Sequence, residues 1–416
     1  MKKNIVFISF VIVSSISINA QTSWMPQVSG TNYELTSVFF IRNTGYTVGG
    51  NGQTNQNAVF KTINGGLNWT KIITTKQFYH IFFTDVNTGY AIDFDGFLKT
   101  VDGGTSWTRV FSNNGLTKYN FMNSIFFTNA NVGYCVGGFD GLQGTILKTV
   151  DGGINWVEQT SGVIKSLNSV YFINPDTGYA VGNDNTILKT VNGGTLWTQQ
   201  NVQTSYLNSV CFIGNTGYAV GYNGKILKTT NGGTNWTFQN SGTTNELNSV
   251  YFIDVKTGYA VGGRDTIING LLVPNKQTIL KTNNGGITWT AKLSGDSNNL
   301  YSVCIADSNT AYAVGRNGLI IKTTSVGAST FNNYSEFNQK LKIYPNPTKG
   351  KFTVIASGIN KDFQILIFNI EGQEIQNQYI HNEVNVKMDL SLLPKGVYFI
   401  RLWNNDFVRV EKIVVQ

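Results

Sequence analysis

Apolar positions along this chain fall in short runs rich in Val, Ile, Phe and Tyr, and each run is closed by Asn and Gly. One unit reads Leu207-Asn-Ser-Val-Cys-Phe, then Asn215-Thr-Gly-Tyr-Ala-Val-Gly, then Lys225-Ile-Leu-Lys-Thr, then Asn231-Gly-Gly, then Trp236-Thr. β-Branched and aromatic runs of about five residues, bounded by turn residues, predict strands, with four to the unit. Asn-Thr-Gly and Asn-Gly-Gly supply the positive φ that tight connections require. No stretch sustains an apolar period of 3.6 residues, so few helices are expected.

The unit recurs. Its third turn, Lys-Thr-x-Asn/Asp-Gly-Gly-x-x-Trp, appears at 61–69, 99–107, 148–156, 189–197, 228–236 and 281–289, and a seventh copy at Lys322 lacks its Trp. The second-strand signature appears seven times, from Gly45-Tyr46 to Ala311-Tyr312. Before the first full unit, Trp24-Met-Pro-Gln-Val-Ser-Gly matches Trp236-Thr-Phe-Gln-Asn-Ser-Gly. Four-stranded sheets that cannot bury both faces alone, repeated at a period of roughly 40 residues, predict a radially stacked β-propeller. The expectation is an all-β protein whose seven-bladed propeller spans residues 21–325. Trp24 should complete the blade begun at Leu300, closing the ring and removing its free edges.

The phrase resembles the Asp-box, or BNR repeat, of sialidases and of photosystem II assembly-factor-like propellers. The resemblance implies a structural hairpin between strands three and four. Its Asn/Asp position holds Asn64, Asp102, Asp151, Asn192, Asn231 and Asn284, and its Trp position holds Trp69, Trp107, Trp156, Trp197, Trp236 and Trp289. A position that accepts Asn freely acts by hydrogen-bonding its own turn, not as a proton donor or nucleophile. The Trp should anchor packing between blades.

Composition narrows the function. The 45 Gly, 6 Pro and 13% charged residues suit a turn-rich all-β chain. The formal charge of +8 includes Lys2 and Lys3 in the leader and seven repeat lysines that symmetry spreads around the ring, and no nucleic-acid module is present. Cys135, Cys211 and Cys304 read as small core residues without a disulfide. With only His80 and His381, a triad or a His-rich metal site has almost no material, and no cofactor or metal is expected. His80 replaces the Ser of the other first strands and reads as a hydrogen-bonded inner-ring histidine, in preference to a polar residue facing the axial channel.

In a four-stranded meander, connections one–two and three–four share one end, and two–three and four–one share the other. The first pair is the copied turns. The second carries the length variation, and loops on a rigid scaffold are where ligand-binding residues usually sit. Candidates on that face are Arg264, Arg316, Tyr222, Asp184, Asp140 and Asp95. Arg264 and Arg316 fall at positions read as equivalent in blades six and seven. They are either solvated arginines or a pair able to hold a carboxylate or phosphate. Asp93, Asp95, Asp140, Asp184 and Asp265 leave open a glycosidase, which needs two carboxyls about 5–9.5 Å apart. The segment 264–277 is the longest insert on this face.

Residues 1–20 read as a secretory signal peptide: two lysines, an apolar run too short to span a membrane, then small residues. No later stretch is long enough to cross a membrane. Residues 326–339 read as a Ser/Asn-rich linker. The repeat then stops, and several short alternating strands in 340–416 predict a small β-sandwich. Its opening Tyr344-Pro345-Asn346-Pro347, its Gly396-Val397-Tyr398 and its basic-apolar tail closely resemble the C-terminal sorting domain of type IX secretion. That resemblance implies the type IX machinery as partner and export to the cell surface or medium. The expectation is an exported binding or scaffold propeller that recognises an extracellular protein or glycan on its variable-loop face. The alternative is a secreted glycoside hydrolase using the loop carboxylates.

Overall fold

The computed structural model describes residues 24–51, 56–113, 121–139, 141, 143–202, 206–268, 271–292, 294, 296–324, 341–356, 363–369, 374–381, 383, 385–403 and 408–416. The expected signal peptide and linker lie outside these. The chain divides into two compact units, Met1–Ala328 and Ser329–Gln416.

Among the described residues the first unit holds seven four-stranded antiparallel sheets, the blades. Blades one to six run over residues 34–74, 80–112, 122–159, 167–199, 207–239 and 247–291. The seventh combines Leu300–Ile305, Ala311–Gly315 and Ile320–Thr323 with Met25–Gln27. Met25, Pro26 and Gln27 pair with Lys322, Ile321 and Ile320, so the amino-terminal strand supplies the missing fourth strand. First strands pack on first strands all the way round, blade seven against blade one included. Second strands such as Gly178–Gly182 are buried at every position. Neighbouring blades cover both their faces, which is why Gly-Tyr-Ala-Val-Gly shows no polar alternation. Outer strands such as Thr237–Gln239 are mostly exposed.

Aromatic layers join the blades. The Tyr of one blade stacks on the first-strand Phe of the next, as in Tyr46–Phe83 at 3.7 Å, Tyr218–Phe252 at 3.7 Å and Tyr312–Phe40 at 3.8 Å between centroids. The Trp meets that Phe edge-on, as in Phe212–Trp236 at 5.8 Å. The Gly before each Tyr leaves room for the ring: a Cβ at Gly217 would lie 2.3 Å from Phe212. Blade seven departs from this pattern coherently. It has Ile305 in place of the Phe, and there the Gly position holds Ala311. Trp24 makes up the layer, with its ring 5.2 Å from Tyr259 at 82°.

Two sequence expectations need correction. The 264–277 insert is not a loop. It lengthens the middle strands of blade six into Gly258–Ile268 and Leu271–Thr282, paired out to Ile268 with Leu271. The sequence between those two residues is Asn-Gly, flanked by apolar residues, a strong short-range hairpin signal. Arg264 and Arg316 are also not equivalent. The Arg316 amide donates to Asn299 O at 3.0 Å, and the residue making that bond in blade six is Gly263, to Glu246 O at 3.0 Å. Arg264 lies one residue further on, opposite Asn275. A one-residue shift turns a strand side chain to the other face.

The second unit is a sandwich of a three-stranded and a four-stranded sheet. Phe352, Val354 and Met388 of the first share one core with Ile365, Ile400 and Ile413 of the second. Asn346 ties the opening motif to the final strand, Val408–Val415: its Nδ2 donates to Lys412 O at 2.7 Å, and its Oδ1 accepts from Val414 N at 3.0 Å. The Tyr398 hydroxyl donates to Pro394 O at 2.7 Å.

Candidate functional site

The copied turns at one end of the propeller are built into its frame. In each box the Thr hydroxyl donates to the Asn/Asp side chain and accepts the amide of the second Gly; for the first box these are Thr62 to Asn64 at 2.9 Å and Gly66 to Thr62 at 2.9 Å. The same Asn or Asp accepts an amide four residues on, as Asn192 does from Leu196 and Asn231 from Asn235, both at 3.0 Å. Asn284 does so from Thr288 at 3.0 Å. The carboxylates have the same role. Asp102 bonds Ser106, and Asp151 bonds Asn155, which holds both pKa values down at about 2. Such groups are ionised throughout the range where a general acid works.

The repeat lysines join the same lock, a role the sequence reading did not assign. Lys99 and Tyr90 both donate to Gly152 O, at 2.8 Å each, so one blade's side chains hold the next blade's box. Lys61, Lys148, Lys189, Lys228 and Lys322 likewise donate to box glycine carbonyls at 2.6–2.9 Å. Each ammonium also lies over its Tyr ring, at 5.4–5.7 Å from the centroid. Six of the seven repeat lysines counted in the sequence are therefore committed to backbone carbonyls. Lys281, at the blade six–seven junction, is 3% exposed, and burial first, then Lys292, lowers its pKa to about 8.

The inner ring is stitched by serines. Ser37, Ser124, Ser169, Ser209, Ser249 and Ser302 each accept an amide from the next blade's first strand at 3.2–3.3 Å. Blade two has His80 instead. The Nδ1 of His80 is buried and has no hydrogen-bond partner among the described residues, contrary to the sequence expectation. Burial pushes its pKa from 6.5 down to about 4. A folded-state pKa below the unfolded value means that the unfolded chain binds the proton first. Stability should be full above pH 6.5 and fall as pH drops toward 4, by up to about 3 kcal/mol. His80→Ser should flatten this acid slope in melting curves and leave stability at pH 7.5 equal or higher; an unchanged slope would rule out His80 as its source.

At the variable-loop end the candidates are dispersed. Asp93 and Asp95 come together on blade two. Arg109 holds the buried Asp93 with two bonds, at 2.9 and 2.5 Å, and lies 3.8 Å from Asp95. Lys76 reaches Asp95 at 2.8 Å, and this bond is the main reason its pKa is lowered. That shift runs opposite to what a general acid needs. Asp184, on blade four, is 2.6 Å from Lys165. Tyr222 and Arg316 open matching one-turn 3-10 segments, Tyr222–Gly224 and Arg316–Gly318. Tyr222 packs edge-on against Tyr206 at 6.4 Å, and Arg316 lies 4.0 Å from Glu34. Asp140 and the side chains of Arg264 and Asp265 lie outside the described residues. The sequence reading overlooked three phenylalanines at this end. Phe94, Phe121 and Phe139 are 48%, 44% and 50% exposed, although Phe94, between two aspartates in a turn, was visible as out of place.

Cys135, Cys211 and Cys304 are free and buried. Among the described residues no group of three His, Cys, Asp or Glu side chains could hold a metal ion. No described helix is long and apolar enough to cross a membrane.

Comparison with known proteins agrees with this architecture. Residues 342–416 match the family model for the secretion system C-terminal sorting domain, and residues 157–240 match that for the photosynthesis system II assembly factor YCF48. No curated protein matches the chain. Among solved structures, YCF48 from Cyanidioschyzon merolae superposes with a TM-score of 0.57 at 19% identity, covering 74% of this chain and all of that one. A structure described as YCF48 bound to D1 peptide gives 0.57 at 20% identity, covering 73% of this chain and 96% of that one. PorZ of Porphyromonas gingivalis, described as an essential surface component of the type IX secretion system, gives 0.52 at 12% identity and covers 92% of this chain and 59% of that one. The chain is thus a β-propeller similar in fold to YCF48 that ends in a segment matching the C-terminal sorting domain of type IX secretion.

Proposed function

We propose that the mature protein is a binding or scaffold module at the cell surface or in the medium, and that its propeller takes an extracellular protein or glycan on the variable-loop face. The carrying observation is the division of labour between the two ends. Box residues and repeat lysines at one end are occupied holding blade to blade, as with Lys99, Tyr90 and Gly152. The other end carries the turns and hairpins that differ from blade to blade, including the blade-six extension. A rigid ring presenting variable loops suits recognition. Two structural neighbours support the reading: one is YCF48 bound to D1 peptide, and another, PorZ, is a bacterial surface component.

The competing reading is a glycoside hydrolase using the loop carboxylates. Asp93, Asp95 and Asp184 each face a cation, which favours binding over acid catalysis. Incubating the mature chain, residues 21–416, with a glycan panel and a random-peptide library separates the two. Retention without new reducing ends is expected. Cleavage that is lost on Asp→Asn changes in the loops would transfer the protein to the hydrolases, and retention of neither probe class would sink the binding reading.

A further inference from the structure

Two sets of side chains tie each first strand to the next, and blade two lacks both. In the first set, a serine accepts the amide of a branched residue on the following strand, as Ser124 does from Val170 and Ser169 from Val210, both at 3.3 Å. The second set lies nearer the variable-loop end, where each first strand begins. Asn123, Asn168, Asn208 and Asn248 donate through Nδ2 to Leu167 O, Leu207 O, Leu247 O and Leu300 O at 2.7–3.1 Å, and Thr36 Oγ1 donates to Phe78 O at 3.4 Å. Blade two carries Tyr79 and His80 at these two positions. Blade seven also has a tyrosine at the second, Tyr301, but it keeps Ser302, which accepts from Val38 N at 3.2 Å. Across the blade two–three junction neither tie is made among the described residues. The amide left over belongs to Ile125. Ile125 lies opposite Cys135 as Val170 lies opposite Ala180, so its N–H points out of the sheet edge toward blade two, as that of Val170 points toward blade three. Its counterpart in the repeat is His80, whose buried Nδ1 has no partner among the described residues.

The box end of the same junction is closed. Lys99 and Tyr90 both hold Gly152 O at 2.8 Å, Tyr90 stacks on Phe127 at 4.0 Å, and Trp156 meets that Phe edge-on at 6.0 Å. The first strand of blade two is also the shortest, His80–Phe83, with four residues against six to eight in the other blades. A polar group left unpaired on folding costs desolvation that opening to water recovers, and sub-global openings start where such bonds are few. We propose that the ring opens at this junction: blades two and three hinge on the locked box end and part along their inner edges toward the variable-loop end. The non-covalent closure of the ring is not the weak point. There Ser302 ties Val38, and Tyr312 stacks on Phe40 at 3.8 Å. The seam falls instead between two blades that follow one another along the chain. Its opening widens the variable-loop face at blades two and three and unfolds neither sheet. The hinge belongs to the ring itself and exists whether or not that face holds a ligand.

Native-state hydrogen exchange of the mature chain at pH 7.5, read amide by amide at several low urea concentrations, tests the hinge. The Ile125 amide should be about tenfold less protected than those of Val170 and Val210. Its exchange should quicken with urea, because parting two blades exposes surface. His80→Ser should bring Ile125 to the protection of Val170 and leave Val210 unchanged. The converse variant, Ser169→His, removes the tie between blades four and five and should lower the protection of Val210 about tenfold; it decides the matter if His80→Ser fails to fold. Fast exchange of Ile125 that ignores urea would mean a missing bond without a hinge, and would overturn the proposal. An Ile125 as protected as Val170 would overturn it too, and is the result if a buried water takes the place of the serine. Lower protection at Val38 than at Ile125 would move the seam to the ring closure.

Discussion

Trp24→Ala should lower the melting temperature by roughly 10 °C, the expected size for a loss of about 3–5 kcal/mol in a domain this large. The side chain is 2% exposed and abuts Tyr259, itself 1% exposed. At other junctions three rings share the load: a Tyr, the Phe it stacks on and the Trp against that Phe, as with Tyr179, Phe212 and Trp236. At the six–seven junction Ile305 replaces the Phe, and Trp24 supplies the aromatic ring packed on the Tyr, in one core cluster with Ile305. It also anchors a strand of only three residues, joined to its blade by hydrogen bonds and not by a hairpin. Losing it should both empty a core site and free two sheet edges. Since a whole domain is stable by only about 5–15 kcal/mol, this is a large fraction. Trp236→Ala is the control, because its strand stays covalently continuous with blade five. Equal melting of Trp24→Ala and wild type, or a larger loss for Trp236→Ala, would reject the ring-closing role.

Removal of residues 341–416 should abolish surface delivery while leaving a folded propeller in the periplasm. The segment matches a sorting domain over nearly its whole length and has its own core, from Phe352 to Val415. A graded variant tests the mechanism. Asn346→Ala removes two bonds to the last strand and should cost that unit about 1–3 kcal/mol. Fractionation should then find less protein at the surface and more proteolysis of the carboxyl-terminal strand. Normal delivery of the truncated chain would refute the assignment of this segment to sorting.

Much of the fold was legible because it is written repeatedly. A turn needing two glycines, a Tyr and a Trp copied from blade to blade leave little choice of architecture, and an orphan Trp before the first unit pointed to the ring closure. The insert was misread because its Asn-Gly lies between apolar runs that extend existing strands; length suggested a loop where pairing made a hairpin. The arginine pair was misread because the alignment slipped by one residue at Gly263. Within the candidate site, the sequence offered carboxylates by type alone and could not show that Lys76, Arg109 and Lys165 already face them. The segments 93–96 and 139–144 were legible as variable-face turns, but the sequence could not show that Phe94 and Phe139 meet Phe121 across two blades.

The amino-acid sequence by itself determined the four-stranded unit, its repetition and the turn chemistry, because these are local patterns of period, size and backbone freedom. Only the tertiary structure decided what the shared residues do across blades: that Lys99 and Tyr90 meet one carbonyl of the next blade, that His80 replaces a serine stitch, and that three phenylalanines from two blades meet in the open. The reason is distance along the chain. Gly152 lies 53 residues beyond Lys99, and only the packing of blade three on blade two brings them to 2.8 Å.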